Sequence, residues 1–150
     1  MEKQTQDGTA QEPKLKVLVP IEESETSNLV IKRSGQFAKT TDCDLTILTV
    51  AEDIIHYPDF PQSPLYFKRK EKAEELLEEA ENTLKKYNIE CKTKLAIGPI
   101  AEEIVRIAEE EKFDVIFMGS RGKGGLKRML LGSVADQVIR HAHCSVTVIR

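Results

Sequence analysis

Five short runs rich in aliphatic and β-branched residues, at 15–19, 45–50, 91–97, 115–118 and 145–149, alternate with four segments of helical character. This alternation constrains the chain more than any other feature. Consecutive strands separated by a helix-length segment cannot form hairpins, so they pair in parallel through right-handed crossovers. Their near-continuous apolar character then requires helices on both faces of one sheet. The first run ends at Pro20, and Ser27 or Asn28 is placed to cap a helix whose apolar face is Leu29, Val30, Phe37 and Ala38. A stretch with Pro58, Pro61 and Pro64 precedes a longer helix with Ala73, Leu76, Leu77, Ala80, Leu84 and Tyr87 on one face. Gly98-Pro99 ends the third strand, Ile100, Ile104, Val105, Ile107 and Ala108 mark a third helix, and residues 133–141 a fourth. The predicted fold is α/β, a five-stranded parallel sheet in one domain over 14–150, with 1–13 as a polar, disordered tail. In such sheets ligands bind beyond the carboxyl ends of the strands, which points to the loops after Val19, Val50, Ile97 and Met118.

Composition removes several classes of function. With 40% apolar and 31% charged residues and no long apolar run, the chain reads as a soluble protein without a membrane partner, and its polar beginning as that of a cytoplasmic one. Cys43, Cys91 and Cys144 are odd in number and lack a C-x-x-C spacing, which argues for reduced thiols. The net charge of -3 conceals an asymmetry: from Val115 onward six basic residues face one acidic residue, Asp136. A small basic patch on an acidic protein suits a phosphate-bearing small molecule, whereas a nucleic acid calls for a broad basic face and stacking aromatics.

That basic part also holds five of the eight glycines, between Gly119 and Gly132. Gly119 and Gly122, directly after a strand, suit a loop whose main-chain N–H groups point at phosphate oxygens. Gly132-Ser133 opens a helix, whose first N–H groups and positive dipole end make a second anion site. Ser133 there can cap the helix or meet a phosphate, and Asp136 three residues on completes a capping-box pattern. Arg121, Lys123, Lys127 and Arg128 lie in or beside this segment. It is not a Walker A loop, because no Lys-Ser or Lys-Thr stands at the required spacing. Nor is it a dinucleotide fingerprint, since the first strand is followed by Glu22-Glu23 where that motif has its glycines.

The spacing Gly119, two residues, Gly122, nine residues, Gly132-Ser133 resembles the ATP-binding signature of the universal stress protein family. KVLVPIEESETS, GPIAEEIVRIAEEEKFDVIFMGSRG and LLGSVADQVIRHAHCSVTVIR extend the likeness over 14–150. The resemblance implies a Rossmann-like sandwich of the adenine-nucleotide alpha-hydrolase type and a homodimer paired through the last strand. It also implies bound ATP, with Mg²⁺ or Mn²⁺ as a companion ion. Carried onto this chain, Gly119, Gly122, Gly132 and Ser133 would wrap the phosphates, and Met118, Arg121 and Val134 would line the same pocket. Pro20 to Glu22 would sit by the ribose and phosphates, and Leu45 would meet the adenine through its backbone. The family usually has Asp-Gly-Ser where this chain has Glu22-Glu23-Ser24, so the longer Glu22 carboxylate must fold back to reach a ribose hydroxyl or a metal ion.

The reading that results is an ATP-binding stress-response or signalling protein in which nucleotide occupancy biases a conformation or a protein partner. No Ser/His/Asp arrangement or general base for γ-phosphate attack stands out, so no catalytic residue is named. A slow metal-dependent ATPase and a nucleotide-free dimeric adaptor are the alternatives. His141, His143 and Cys144 sit where a helix passes into a strand, which sends their side chains in different directions and argues against zinc.

Overall fold

The computed structural model describes residues 12–52, 64–121 and 130–150. Among the described residues nine elements follow in strict alternation: β1 Lys16–Pro20, α1 Glu25–Thr41, β2 Asp44–Ala51, α2 Pro64–Lys85, β3 Lys92–Ile97, α3 Ile100–Glu110, β4 Val115–Gly119, α4 Ser133–His141 and β5 Ser145–Ile149. The five strands form one sheet in the order β3-β2-β1-β4-β5, and every pairing is parallel. This is the α/β architecture expected from the alternation.

Side chains along a strand point alternately to the two faces, and the core divides accordingly. Val17, Val19, Leu45 and Ile47 pack with Val30, Ile31 and Ala38 of α1 and Leu77, Ala80 and Leu84 of α2. Leu18, Leu48, Ile116 and Met118 face the other way, onto Ile104, Ile107 and Ala108 of α3 and Ala135 and Val138 of α4. Among the described residues no helix is long and apolar enough to cross a membrane.

Helix boundaries depart from the sequence expectations in three places. The N-cap of α1 is Ser24, whose hydroxyl accepts from the Ser27 N–H, so Ser27 and Asn28 lie inside the helix. Ser27 is buried, and its hydroxyl accepts from the Glu22 N–H at 3.0 Å, tying the β1 loop to the first turn. Helix α2 begins at Pro64, where a missing N–H costs nothing because the first turn has no acceptor for it. Pro58 and Pro61 lie outside the described residues. Tyr87 follows the end of α2 and is exposed, so it is not part of that helix's buried face. Gly98 ends β3 with φ 145, a backbone conformation that side-chain-bearing residues rarely adopt.

Candidate functional site

The strand order reverses beside β1: the chain runs outward from β1 through β2 to β3, then returns to place β4 on the other side of β1. A crevice opens at such a switch point, at the carboxyl ends of β1 and β4. Pro20 ends β1 and Gly119 ends β4, so the two loops expected to face a ligand leave the sheet side by side.

The Gly119 end of one glycine site and Gly132 of the other come together there. Past β4, the buried Ser120 donates its N–H to the Ile149 carbonyl at 2.8 Å, and its own carbonyl accepts from the Gly132 N–H at 2.7 Å. That second bond brings the start of α4 to the end of β4. Gly132 is the N-cap of α4, with Ser133 exposed in the first helical position. The first-turn N–H groups of α4 lack acceptors within the helix and carry its positive dipole end to the crevice. Asp136 is therefore one position too far along for a capping box. Its carboxylate instead accepts from Arg140 Nε at 2.9 Å, and that hydrogen bond raises the guanidinium pKa.

Gly119 is required by packing. A Cβ at this position would lie 2.7 Å from Thr26 Cγ2, in the first turn of α1. The amino end of α1 thus rests directly on the last residue of β4. Met118 is buried in the core on the α3/α4 side, and Val134 packs partly buried against the same cluster, so both offer the crevice main chain and not side chain. Arg121 is half-buried just after Ser120. Gly122, Lys123, Lys127 and Arg128 lie outside the described residues.

The structure places Leu45 at the end of β2 away from the crevice. It pairs with Val17, whereas β1 reaches its carboxyl end at Pro20 opposite Leu48. Leu45 is buried at the amino end of β2, about 16 Å along the strand from Val50. The β2 residue at the crevice is Val50. Leu48 turns its main chain toward β1, accepting from the Ile21 N–H at 2.8 Å, while Ala51 turns toward β3, accepting from Gly98 at 3.0 Å. Strand alternation therefore turns the Val50 N–H and C=O to the β1 side, beyond the point where β1 ends.

Val50 also lines a cavity of about 370 Å³ with Glu22, Thr49, Ala73, Leu76 and Ile100. Helix α2 forms its outer wall. Arg69 donates from Nη1 to the Glu52 carbonyl at 2.7 Å, and Lys72 pairs with Glu23 at 2.5 Å. Both contacts tie α2 to loops at the crevice. Sequence reasoning missed Thr26, Ser120, Arg69 and Lys72. Only Val50 had left a signal, as the end of a strand whose loop faces the ligand side. His141 and His143 are exposed at the opposite, amino end of β5, and Cys144 packs partly buried on the core.

A sequence profile of the universal stress protein family matches residues 15–150. Universal stress protein MJ0531 of Methanocaldococcus jannaschii is 33% identical over 139 residues, covering 90% of this chain and 81% of that one. Among solved structures, universal stress protein UspA from Lactobacillus plantarum matches with a TM-score of 0.83 at 24% identity, over 92% of this chain and 99% of that one. A universal stress protein solved in complex with cAMP matches with a TM-score of 0.73 at 24% identity, over 91% and 97%. The strand order, the meeting of the Gly119 and Gly132 ends and a family match running from β1 to the last residue lead to one conclusion: this chain belongs to the universal stress protein family.

Proposed function

We propose that the chain binds ATP across the carboxyl ends of β1 and β4 and that occupancy serves as a stress-response or signalling switch. The observation that carries this reading is the Gly132 N–H to Ser120 carbonyl bond, which joins the β4 loop and the α4 amino end into one anion-binding corner. Gly119, Arg121, Gly132, Ser133 and the main chain of Met118 and Val134 hold the phosphates there, with Gly122, which lies outside the described residues, added by the family resemblance.

Charge supports one orientation. The cavity beside Val50 has Glu22, Glu23, Glu52, Glu75 and Glu79 in its walls against Arg69 and Lys72. That excess of carboxylates disfavours a polyphosphate and leaves the space to an uncharged base and ribose. Val50, Ala73, Leu76 and Ile100 supply the apolar surface a flat base needs, and the outward N–H and C=O of Val50 suit the adjacent acceptor and donor of an adenine edge. Pro20 and Glu22 lie between the two ends, by the ribose. Mg²⁺ commonly needs only one or two protein carboxylates alongside the phosphates, a requirement Glu22 meets for Mg²⁺ or Mn²⁺. A neighbour of the same fold is a cAMP complex, in agreement with an adenine nucleotide as ligand.

Occupancy has a physical route to the rest of the molecule, because α1 rests on Gly119 through Thr26 and α2 is tied to the crevice loops by Arg69 and Lys72. Hydrolysis is slow or depends on another factor. Three free, half-buried thiols suit the reducing cytoplasm. Acid-quenching the purified protein is expected to release ATP, or else the clean protein binds added ATP in a titration. Protein that does neither refutes the reading.

The assembly is a homodimer paired through β5. Both β3 and β5 are sheet edges, but they are finished differently. Lys92 and Lys94 lie on β3, and edge lysines discourage strand addition. Strand β5, Ser-Val-Thr-Val-Ile, has no charge and is half-exposed along most of its length. A second copy adding there completes the sheet.

A further inference from the structure

The amino end of the sheet, opposite the nucleotide crevice, holds two of the three cysteines. Cys43 stands one residue before β2 and Cys91 one residue before β3. The β2–β3 ladder begins at Thr46 opposite Lys92, which sets Cys91 beside Leu45, one step outside the ladder. Cys43 is two residues before Leu45, and residues two apart on a strand share a face. Both side chains accordingly pack against the same cluster, the one beneath α1 and α2. Both also line one cavity of about 600 Å³, between the end of α1 and the turn after α2. Neither is in a disulfide, and each is only half-buried.

Their spacing selects among the things two thiols can do. Extending each strand by one residue, to its cysteine, puts the two Cα atoms about 8 Å apart. A disulfide needs roughly 4.4–6.8 Å, so these cysteines cannot close one without moving the backbone. A bridging ion adds two metal–sulfur bonds of about 2.3 Å each to the span, which matches the longer separation. The ion's coordination number is limited as well. Among the described residues no three His, Cys, Asp or Glu side chains gather around a common point, so a tetrahedral or octahedral ion lacks ligands. The nearby Asp42 carboxylate is engaged by Lys14 at 2.8 Å. Soft, monovalent d¹⁰ ions differ in being satisfied by two thiolates alone, and thiolate is the ligand they prefer.

We propose that Cys43 and Cys91 form a two-coordinate site for a soft monovalent cation, copper(I) or silver(I). On binding, each thiol gives its proton to solvent and forms one sulfur–metal bond, and neither the sulfur nor the metal changes oxidation state. The product carries one negative charge. Lys14, Lys39 and Lys92 line the cavity with Asp42, Asp44 and Glu90, so the walls hold no excess negative charge to oppose it. Cys144 packs against the cluster on the opposite face of the sheet and takes no part.

The test presents the full, reduced chain, without oxygen, with copper(I) held by bathocuproine disulfonate. Withdrawal of one copper per chain is expected. Cys43→Ser and Cys91→Ser should each weaken uptake at least a hundredfold, and Cys144→Ser should leave it unchanged. A second readout needs no variant: copper should protect Cys43 and Cys91, but not Cys144, from iodoacetamide, as located by mass spectrometry of the unsubstituted chain. No transfer from the competitor, protection confined to Cys144, or full uptake by both Cys43→Ser and Cys91→Ser would overturn the proposal. Ready closure of a Cys43–Cys91 disulfide under a mild oxidant would also overturn it, because the thiols would then be too close for the bridge described.

Discussion

Gly119→Ala is expected to destabilise the protein by about 1–3 kcal/mol, the usual cost of forcing extra volume into a packed contact. At about 2–4 °C per kcal/mol for a domain of this size, Tm should fall by several degrees. The same change should weaken ATP binding on the order of tenfold, about 1.4 kcal/mol. The reason is local. The new Cβ would stand 2.7 Å from Thr26 Cγ2, while its next neighbour, the Arg121 carbonyl oxygen at 3.4 Å, is in ordinary contact. Thr26 is β-branched and in the first turn of a helix, so it has few rotamers into which its methyl can retreat. The strain passes to the backbone and separates α1 from the β4 loop proposed to hold phosphate. Thr26→Ser removes only the offending methyl and should cost little alone. Combined with Gly119→Ala it should restore most of the stability and affinity, a coupling of about 1 kcal/mol or more between the two positions. Denaturation and ATP titration on the four proteins of this cycle measure it. Additive effects would show that Gly119 is required for some reason other than contact with α1.

Val148→Pro is expected to convert the proposed dimer to a monomer while the fold survives. The Ile149 carbonyl accepts from Ser120, so Ile149 turns its main chain inward to β4. Alternation turns the Val148 N–H and C=O outward, to the open edge. Proline at that position deletes a donor that no described strand of the same chain uses, which is where an edge strand tolerates it. A second β5 adding across the edge loses a ladder bond and meets the proline ring. Light scattering at micromolar concentration should give twice the chain mass before the substitution and the chain mass after it, with an unchanged far-ultraviolet circular dichroism spectrum. A dimer that survives would place the interface elsewhere.

The strands and the crevice were legible because their signal is periodic and strong. Runs such as LTILTV state a buried parallel strand, and the helical spacing of Ile100, Ile104 and Ile107 states the face that covers it. What was illegible depends on detail within an element or on contacts distant in the chain. The segment ESETSN offers several residues able to cap, and only the bonds among Ser24, Ser27 and Glu22 single out Ser24. The first turns of α2 present Leu65 and Phe67 to solvent, so they lack the apolar stripe that announces a helix. Resemblance alone puts Leu45 at the adenine, with no register to say which end of β2 meets the ligand. The pairing of Pro20 with Leu48 supplies that register and puts Val50, not Leu45, at the carboxyl end of the sheet. The contact between Thr26 and Gly119 joins residues far apart in sequence and leaves no local trace.

The most direct test of the nucleotide site is the amide nuclear magnetic resonance spectrum of the isotope-labelled protein, recorded with and without saturating ATP. The proposed site predicts that the amides of Glu22, Val50, Ser120, Arg121, Gly132 and Ser133 shift together along one binding curve, while those of Cys43, Leu45 and Asp114 at the other end of the sheet stay in place. Shifts concentrated around Leu45, or a spectrum unaltered by ATP, would contradict it.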